Sequence, residues 1–422
     1  MAYVAFVLWQ SSSKFTDVGL RFLSICLFCL ACCLSSVKLY AAASETDTFK
    51  PYLSSSILYD SNYLRLSKSA SPSITGGVND FSEVLKQASA GFDVDWKISR
   101  QHILIKANIN QNWFENFTSL DYLGWNNRAQ WDWQVGNQLN GEIGYGNRKF
   151  LGTYNQLNAF IPNLSTTQEY FANAGYLFHP NARLKLGVFR TDSQFDSVSR
   201  ATSNILEDNF EANLQYISPS SNIIGFRFLG TDGRYPQRQF IPTQILDTAY
   251  SRFNYQLTWD WRLDSKFRID GNAGYTEQNF EHFRVQNFSS VVGQLNLHWQ
   301  YSEKTLLELN LKREIGQALN VNSSFIQIQG VEFNARWQLS PKLVLQLPLS
   351  YQEQAFLGQS GASFANLPQQ INQLTSVGLN LSYLSFNGFT INSLVSYENR
   401  DSNFSDRVYQ SFSAGMNFKL VF

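Results

Sequence analysis

From about residue 49 to its last residue, the 422-residue chain repeats one pattern: apolar and polar residues alternate with a period of two, in runs of about ten. Phe92, Val94, Trp96 and Ile98 alternate with Asp93, Asp95 and Lys97. Phe253, Tyr255, Leu257, Trp259 and Trp261 alternate with Asn254, Gln256, Thr258, Asp260 and Arg262. Val331, Phe333, Ala335, Trp337 and Leu339 alternate with Glu332, Asn334, Arg336 and Gln338. Side chains alternate across a strand, so each run has one apolar and one charged face. Ten residues is the length a tilted strand needs to cross a bilayer. After the leader, no stretch holds a helical period over a comparable length.

Turn chemistry punctuates the runs. Ser99-Arg100-Gln101, Leu139-Asn140-Gly141, His179-Pro180-Asn181, Ser218-Pro219-Ser220, Leu263-Asp264-Ser265, Tyr301-Ser302-Glu303, Ser340-Pro341-Lys342 and Phe386-Asn387-Gly388 read as tight turns. Between them lie longer polar connections, from 61–82 to 401–407. The count predicts about 18 strands, an even number, with the first starting near Phe49 and the last being the terminal run Arg407–Phe422. A propeller would need four short strands per period of about 40 residues, where this chain offers two long ones. The fold class expected is therefore all-β: a transmembrane antiparallel up-and-down β-barrel. Both chain ends then fall on the short-turn, periplasmic side. The third long connection, near 154–166, is short beside the inward-folded loop that narrows a general porin. The longest, 61–82 and 355–370, are the loops able to fold inward, though neither is large, and the pore is expected to be either fairly open or occluded by a partner.

Composition agrees with a wet-lumened barrel. Aromatics reach 15%, and Lys plus Arg equals Asp plus Glu at 33 each, so no basic field points to nucleic acid. Cys26, Cys29, Cys32 and Cys33 all lie in the apolar run 22–34. Arg21 precedes that run and Ala41-Ala42-Ala43 follows it, the layout of a secretory signal peptide. We read 1–43 as signal peptide, with cleavage after Ala43, and 44–422 as the barrel. The unusual length before Arg21 suggests a later initiator such as Val18.

Enzymatic signals are few. His102, His179, His282 and His298 show no mutual metal-ligand spacing, and no P-loop, dinucleotide or G-x-S-x-G motif occurs. No catalytic residue, metal or cofactor is expected. The polar faces are the informative part. Arg128, Asp132, Asp260, Arg262, Arg268, Asp270, Glu332 and Arg336 are candidate ligand contacts on the lumen wall, or members of a cross-strand ion-pair lattice that stiffens it. Asp60, Asn62 and Arg65 fall where the first strand meets the first loop. They read as an Asx-type turn or as a calcium or sugar contact at the pore mouth. Phe418 and Phe422 on the terminal strand are the candidate assembly signal.

Several short stretches add a family resemblance. Lys50-Pro51-Tyr52, Asp60-Ser61-Asn62-Tyr63-Leu64-Arg65-Leu66, Trp131-Asp132-Trp133 and Thr231-Asp232-Gly233-Arg234-Tyr235-Pro236 are among them. Together they resemble the EpsL family of outer-membrane proteins, found in exopolysaccharide operons associated with exosortase and PEP-CTERM systems. The resemblance implies a bacterial outer-membrane location and a part in exopolysaccharide biosynthesis or export. It carries no catalytic residues. The partners expected are outer-membrane lipid and lipopolysaccharide, the barrel-assembly machinery, the exopolysaccharide and periplasmic export components, with no nucleic acid. The other functional reading is a general diffusion porin for small solutes, or a non-conducting docking barrel.

Overall fold

The computed structural model describes residues 47–69, 77, 79–155, 157, 160–241, 247–317, 325–357, 368–386 and 388–422. The expected signal peptide lies outside them.

Eighteen antiparallel strands close into one barrel. They are β1 (Phe49–Asp60), β2 (Glu83–Ile98), β3 (Gln101–Phe114), β4 (Tyr122–Val135), β5 (Leu139–Leu151), β6 (Leu164–His179), β7 (Ala182–Phe195), β8 (Ile205–Ile217) and β9 (Ile223–Arg234). The second half is β10 (Ala249–Arg262), β11 (Phe267–Phe280), β12 (Phe288–Ser302), β13 (Thr305–Gln317), β14 (Phe325–Ser340), β15 (Leu343–Leu357), β16 (Ile371–Phe386), β17 (Phe389–Ser402) and β18 (Tyr409–Val421). Each strand pairs with its neighbours in sequence, and β18 pairs with β1 through Ile57 opposite Met416 and Asp60 opposite Ser413. Closure removes the free edges, which a bilayer cannot hydrogen-bond.

The strand count and the first strand agree with the sequence expectation, while some boundaries move. The turn expected at Leu139-Asn140-Gly141 lies at 136–138, because Gly136 takes φ +62 and so absorbs the left-handed step. The turn expected at 301–303 moves to 303–304. The last strand starts at Tyr409 and not at Arg407, because Ser405–Arg407 form a short 3-10 turn.

The register assigns every strand residue to a side. Leu257 on β10 sits opposite Phe226 and Ala273, and this row faces outward, with Leu257 47% and Phe226 54% exposed. Exposed apolar surface on this scale belongs in hydrocarbon, not water. Near their short-turn ends the even strands from β2 to β16 each carry an exposed outward aromatic: Trp96, Trp131, Tyr176, Tyr216, Trp261, Trp299, Trp337 and Tyr383. Such a girdle marks one lipid–water interface. Outward ion pairs gather at the loop end instead, among them Arg190 with Asp208, Lys149 with Asp196 and Lys86 with Glu115. The closed sheet, apolar band and girdle make the chain a bacterial outer-membrane barrel.

Candidate functional site: the lumen wall and its mouth

Inward residues of β10–β14 form a continuous polar chain across neighbouring strands. The Arg268 guanidinium donates to both Asp260 oxygens, at 2.8 and 2.9 Å, and lies 3.6 Å from Asp270. Asp270 sits 3.1 Å from His298 Nε2, and His298 Nδ1 is 3.3 Å from Glu308. Asn334 Nδ2 donates to Glu308, and Asn296 Nδ2 to Asp270. Lys312 pairs with Glu332 at 2.8 Å. Asn296, His298, Glu308, Lys312 and Glu332 line a recess of about 590 Å³. Each pair meets because antiparallel register places its members opposite or diagonal on one face.

A second inward group lies on β2–β6. The Arg128 guanidinium stacks 4.4 Å from the Phe171 ring and donates to Glu169 and Gln130. Gln130 in turn donates to Asp132 at 2.7 Å, and His102 lies between Asp95 and Asp132. On β1, the Tyr52 ring lies against Gly91, where any Cβ would meet it at 2.6 Å, and Lys419 Nζ stands 4.0 Å from its centre.

The loop end is covered on one sector. The first and third loops bury Leu64, Leu66, Tyr154 and Leu157 against inward Phe114, together with Phe117 and Leu120. Burial pushes the Tyr154 phenol up to about 12. The third loop also accepts a hydrogen bond at the Asn155 carbonyl from Arg400 on β17, a residue 1% exposed. The third loop is short, yet it packs on the first loop and reaches β17. The chain's own loops thus cover one sector of the mouth.

Two buried acids pin the loop turns. Glu83, 1% exposed, accepts the amides of Glu115, Asn116 and Phe117. Asp247, 1% exposed, accepts those of His282 and Phe283 at 2.8 Å and the His282 imidazole at 3.0 Å. Burial alone would raise the Asp247 pKa. The Phe283 amide, the imidazole and the His282 amide outweigh it and hold the carboxyl below its usual range. Glu281 also comes near this pair, but both Asp247 oxygens are already occupied by donors.

The structure brings Asp60 and Arg65 together at 2.9 Å and places Asn62 beside them, its amide donating to Asp60. Ser411 and Ser413 also donate to Asp60, so internal donors surround this carboxylate. Arg128 and Asp132 share one network, as do Asp260, Arg268 and Asp270. Glu332 joins Lys312. Arg262 lies opposite Arg268, and Arg336 faces the lumen from β14. Phe418 sits on the outward face, opposite Ser55 and Ile391. The sequence reading did not single out Glu398, Arg400 and Tyr409 at the mouth, nor the loop acids Glu83 and Asp247. For β10–β14, counting register outward from the tight turns would have lined up His298 with Glu308.

Fold and lumen together define a porin-like bacterial outer-membrane β-barrel. Residues 262–422 match the family model described as "Putative beta-barrel porin 2". No curated protein matches the sequence. Among solved structures, a BenF-like porin from Pseudomonas fluorescens is similar in fold, with TM-score 0.51 and 9% identity over 89% of this chain and 99% of that one. The outer membrane protein opdK from Pseudomonas aeruginosa aligns at TM-score 0.48 and 10% identity, over 89% of this chain and 99% of that one.

Proposed function

We propose that the barrel is a passive channel for small hydrophilic solutes. One observation carries this reading: the inward face is a connected lattice of both charge signs and amides, from Asp260 through Arg268, Asp270 and His298 to Glu308. Such a wall holds water and offers hydrogen bonds to sugars without strongly favouring either ion sign. An eighteen-stranded barrel is wide enough to leave an aqueous lumen. The test is reconstitution into liposomes, with swelling followed for sugars of increasing size. Uptake with a size cut-off is the expected result; no swelling and no current in planar bilayers would overturn the reading.

A second reading rests on the resemblance of the chain to the EpsL family, which spans nearly all of residues 44–422. In it the same conduit serves exopolysaccharide export, with periplasmic export components as partners. Periplasmic accumulation of polymer in a deletion strain supports this reading, and normal secretion argues against it.

A further inference from the structure

Several lumen bases have no carboxylate within 4.0 Å among the described residues, Arg262 and Arg336 among them, and three more stand together on β7 and β9. Arg183, Lys185 and Arg227 point inward, and none has a carboxylate within 4.0 Å among the described residues. They occupy two adjacent rows of the wall. Lys185, Asn213, Arg227 and Gln256 stand in one register line across β7, β8, β9 and β10. Arg183 and Gln215 stand in the line below.

The two arginines are held by neutral groups. Arg227 donates from Nε and Nη2 to Gln256 Oε1, at 3.0 and 2.6 Å. Arg183 donates from Nε to Gln215 Oε1 at 2.8 Å. An amide carbonyl fixes a guanidinium in place without cancelling its charge. It also leaves free N–H groups on each fork, since a guanidinium has five donors. Lys185 lies in register with Asn213, yet the Asn213 carboxamide oxygen is buried and has no donor. Neither Lys185 nor Arg227 turns back to satisfy it, so both heads are directed elsewhere. The wall beside them is bare at Gly175, against which the Lys185 and Arg183 stems lie. Inward Glu211 stands on β8, diagonal to both Lys185 and Arg227, and Glu142 lies further off on β5, where it accepts from Asn173.

We propose that Arg183, Lys185 and Arg227 form an anion-binding step in the lumen that takes the carboxylate of a passing solute. Fixed guanidinium forks with free donors suit a carboxylate, and the lysine adds a mobile point charge. The proposal rests on the channel reading for its role, but its geometry stands apart from it.

The test titrates the purified full-length barrel in detergent with galacturonate, lactate and neutral galactose, by calorimetry. Wild type should bind galacturonate and not galactose. Lactate binding as well as galacturonate assigns the site to the carboxylate alone, and much weaker lactate binding assigns it to a sugar acid. Changing Lys185→Gln and Arg227→Gln together should weaken galacturonate about tenfold or more, the effect of losing a charge-assisted bond. Lys185→Gln alone, which removes no internal bond, should give part of that loss if the double variant does not fold. Equal binding of galactose and galacturonate, no binding of either acid, or an unchanged variant overturns the site. A barrel that binds galacturonate but passes no current keeps the site and loses the channel reading. One that conducts without binding does the reverse.

Discussion

Arg65 in the first loop donates from Nε to Glu398 on β17 at 3.0 Å, across 333 residues of sequence. The same guanidinium pairs with Asp60 at 2.9 Å. Arg65 holds φ at 54, a left-handed backbone that a side chain of its size adopts at a cost of about 1 kcal/mol. The two carboxylates hold it there. Glu398 also accepts from the Tyr409 hydroxyl, so one acid ties the loop, β17 and β18 together. Arg65→Ala leaves Asp60, 4% exposed, without its cation. The expected local loss is about 3 kcal/mol, the scale for a buried pair deprived of one member. Hydrogen exchange of residues 61–67 should speed by about two orders of magnitude while the strands stay protected.

Glu83 and Asp247 do one job in two places, each receiving successive amides from a turn after β3 or β11. Glu83→Gln keeps the size but replaces one acceptor oxygen with a donor beside three amides. A loss of about 2–3 kcal/mol is expected in unfolding by urea in detergent. Glu83→Asp, too short to reach, should fare no better.

Asp247 also sets a pH dependence. Its folded pKa is depressed, so its contribution is fully present above the ordinary carboxylate value, about 3.9. As pH falls below that value the unfolded form takes up the proton first, and stability is lost until pH passes the folded value. Loosening of residues 281–287 in acid should therefore begin below about pH 4 and disappear in Asp247→Asn, which is already loosened at neutral pH.

The barrel was legible because period-two alternation is set by the bilayer and the lumen together, strand by strand. The even count came from turn residues whose chemistry is local, such as Pro180-Asn181 and Pro341-Lys342. Gly136 escaped because Asn140-Gly141 offered the stronger turn signature, yet Gly141 lies within β5, in the ladder opposite Trp133. The mouth was not legible. Leu64, Tyr154 and Arg400 meet only after closure brings β17 round to β1, and no periodicity encodes a contact between loops of different hairpins. Asp60 was found from its local motif, while its partners Ser411 and Ser413 lie 351 and 353 residues away.

Within the lumen lattice, Arg268 is the base between Asp260 and Asp270. Arg268→Ala removes one positive charge and leaves those two acids facing water, with His298 beside Asp270. The pair is half exposed to an aqueous lumen, so little stability should be lost. The local field should turn negative. In planar bilayers under a salt gradient, the reversal potential should move toward cation preference, and the shift should shrink as salt rises and screens the site. An unchanged potential would mean that permeating ions do not pass this wall.

The in–out assignment can be tested at one height of the barrel. Leu257 on β10 and Asn272 on β11 are close neighbours on opposite faces: Leu257 stands opposite Ala273, and Asn272 opposite Thr258. Leu257→Arg puts a charge into the apolar band, at an expected cost of about 2–4 kcal/mol near the midplane. Asn272→Arg puts the same charge into the lumen, where water, Gln294 on β12 and the acids of the lattice can solvate it. The expected cost is under about 1 kcal/mol. Urea unfolding in lipid vesicles, followed by tryptophan fluorescence, reads both. Equal costs would mean that the two faces do not differ as lipid and water at this height. A large cost for Asn272→Arg with a small one for Leu257→Arg would invert the barrel wall outright.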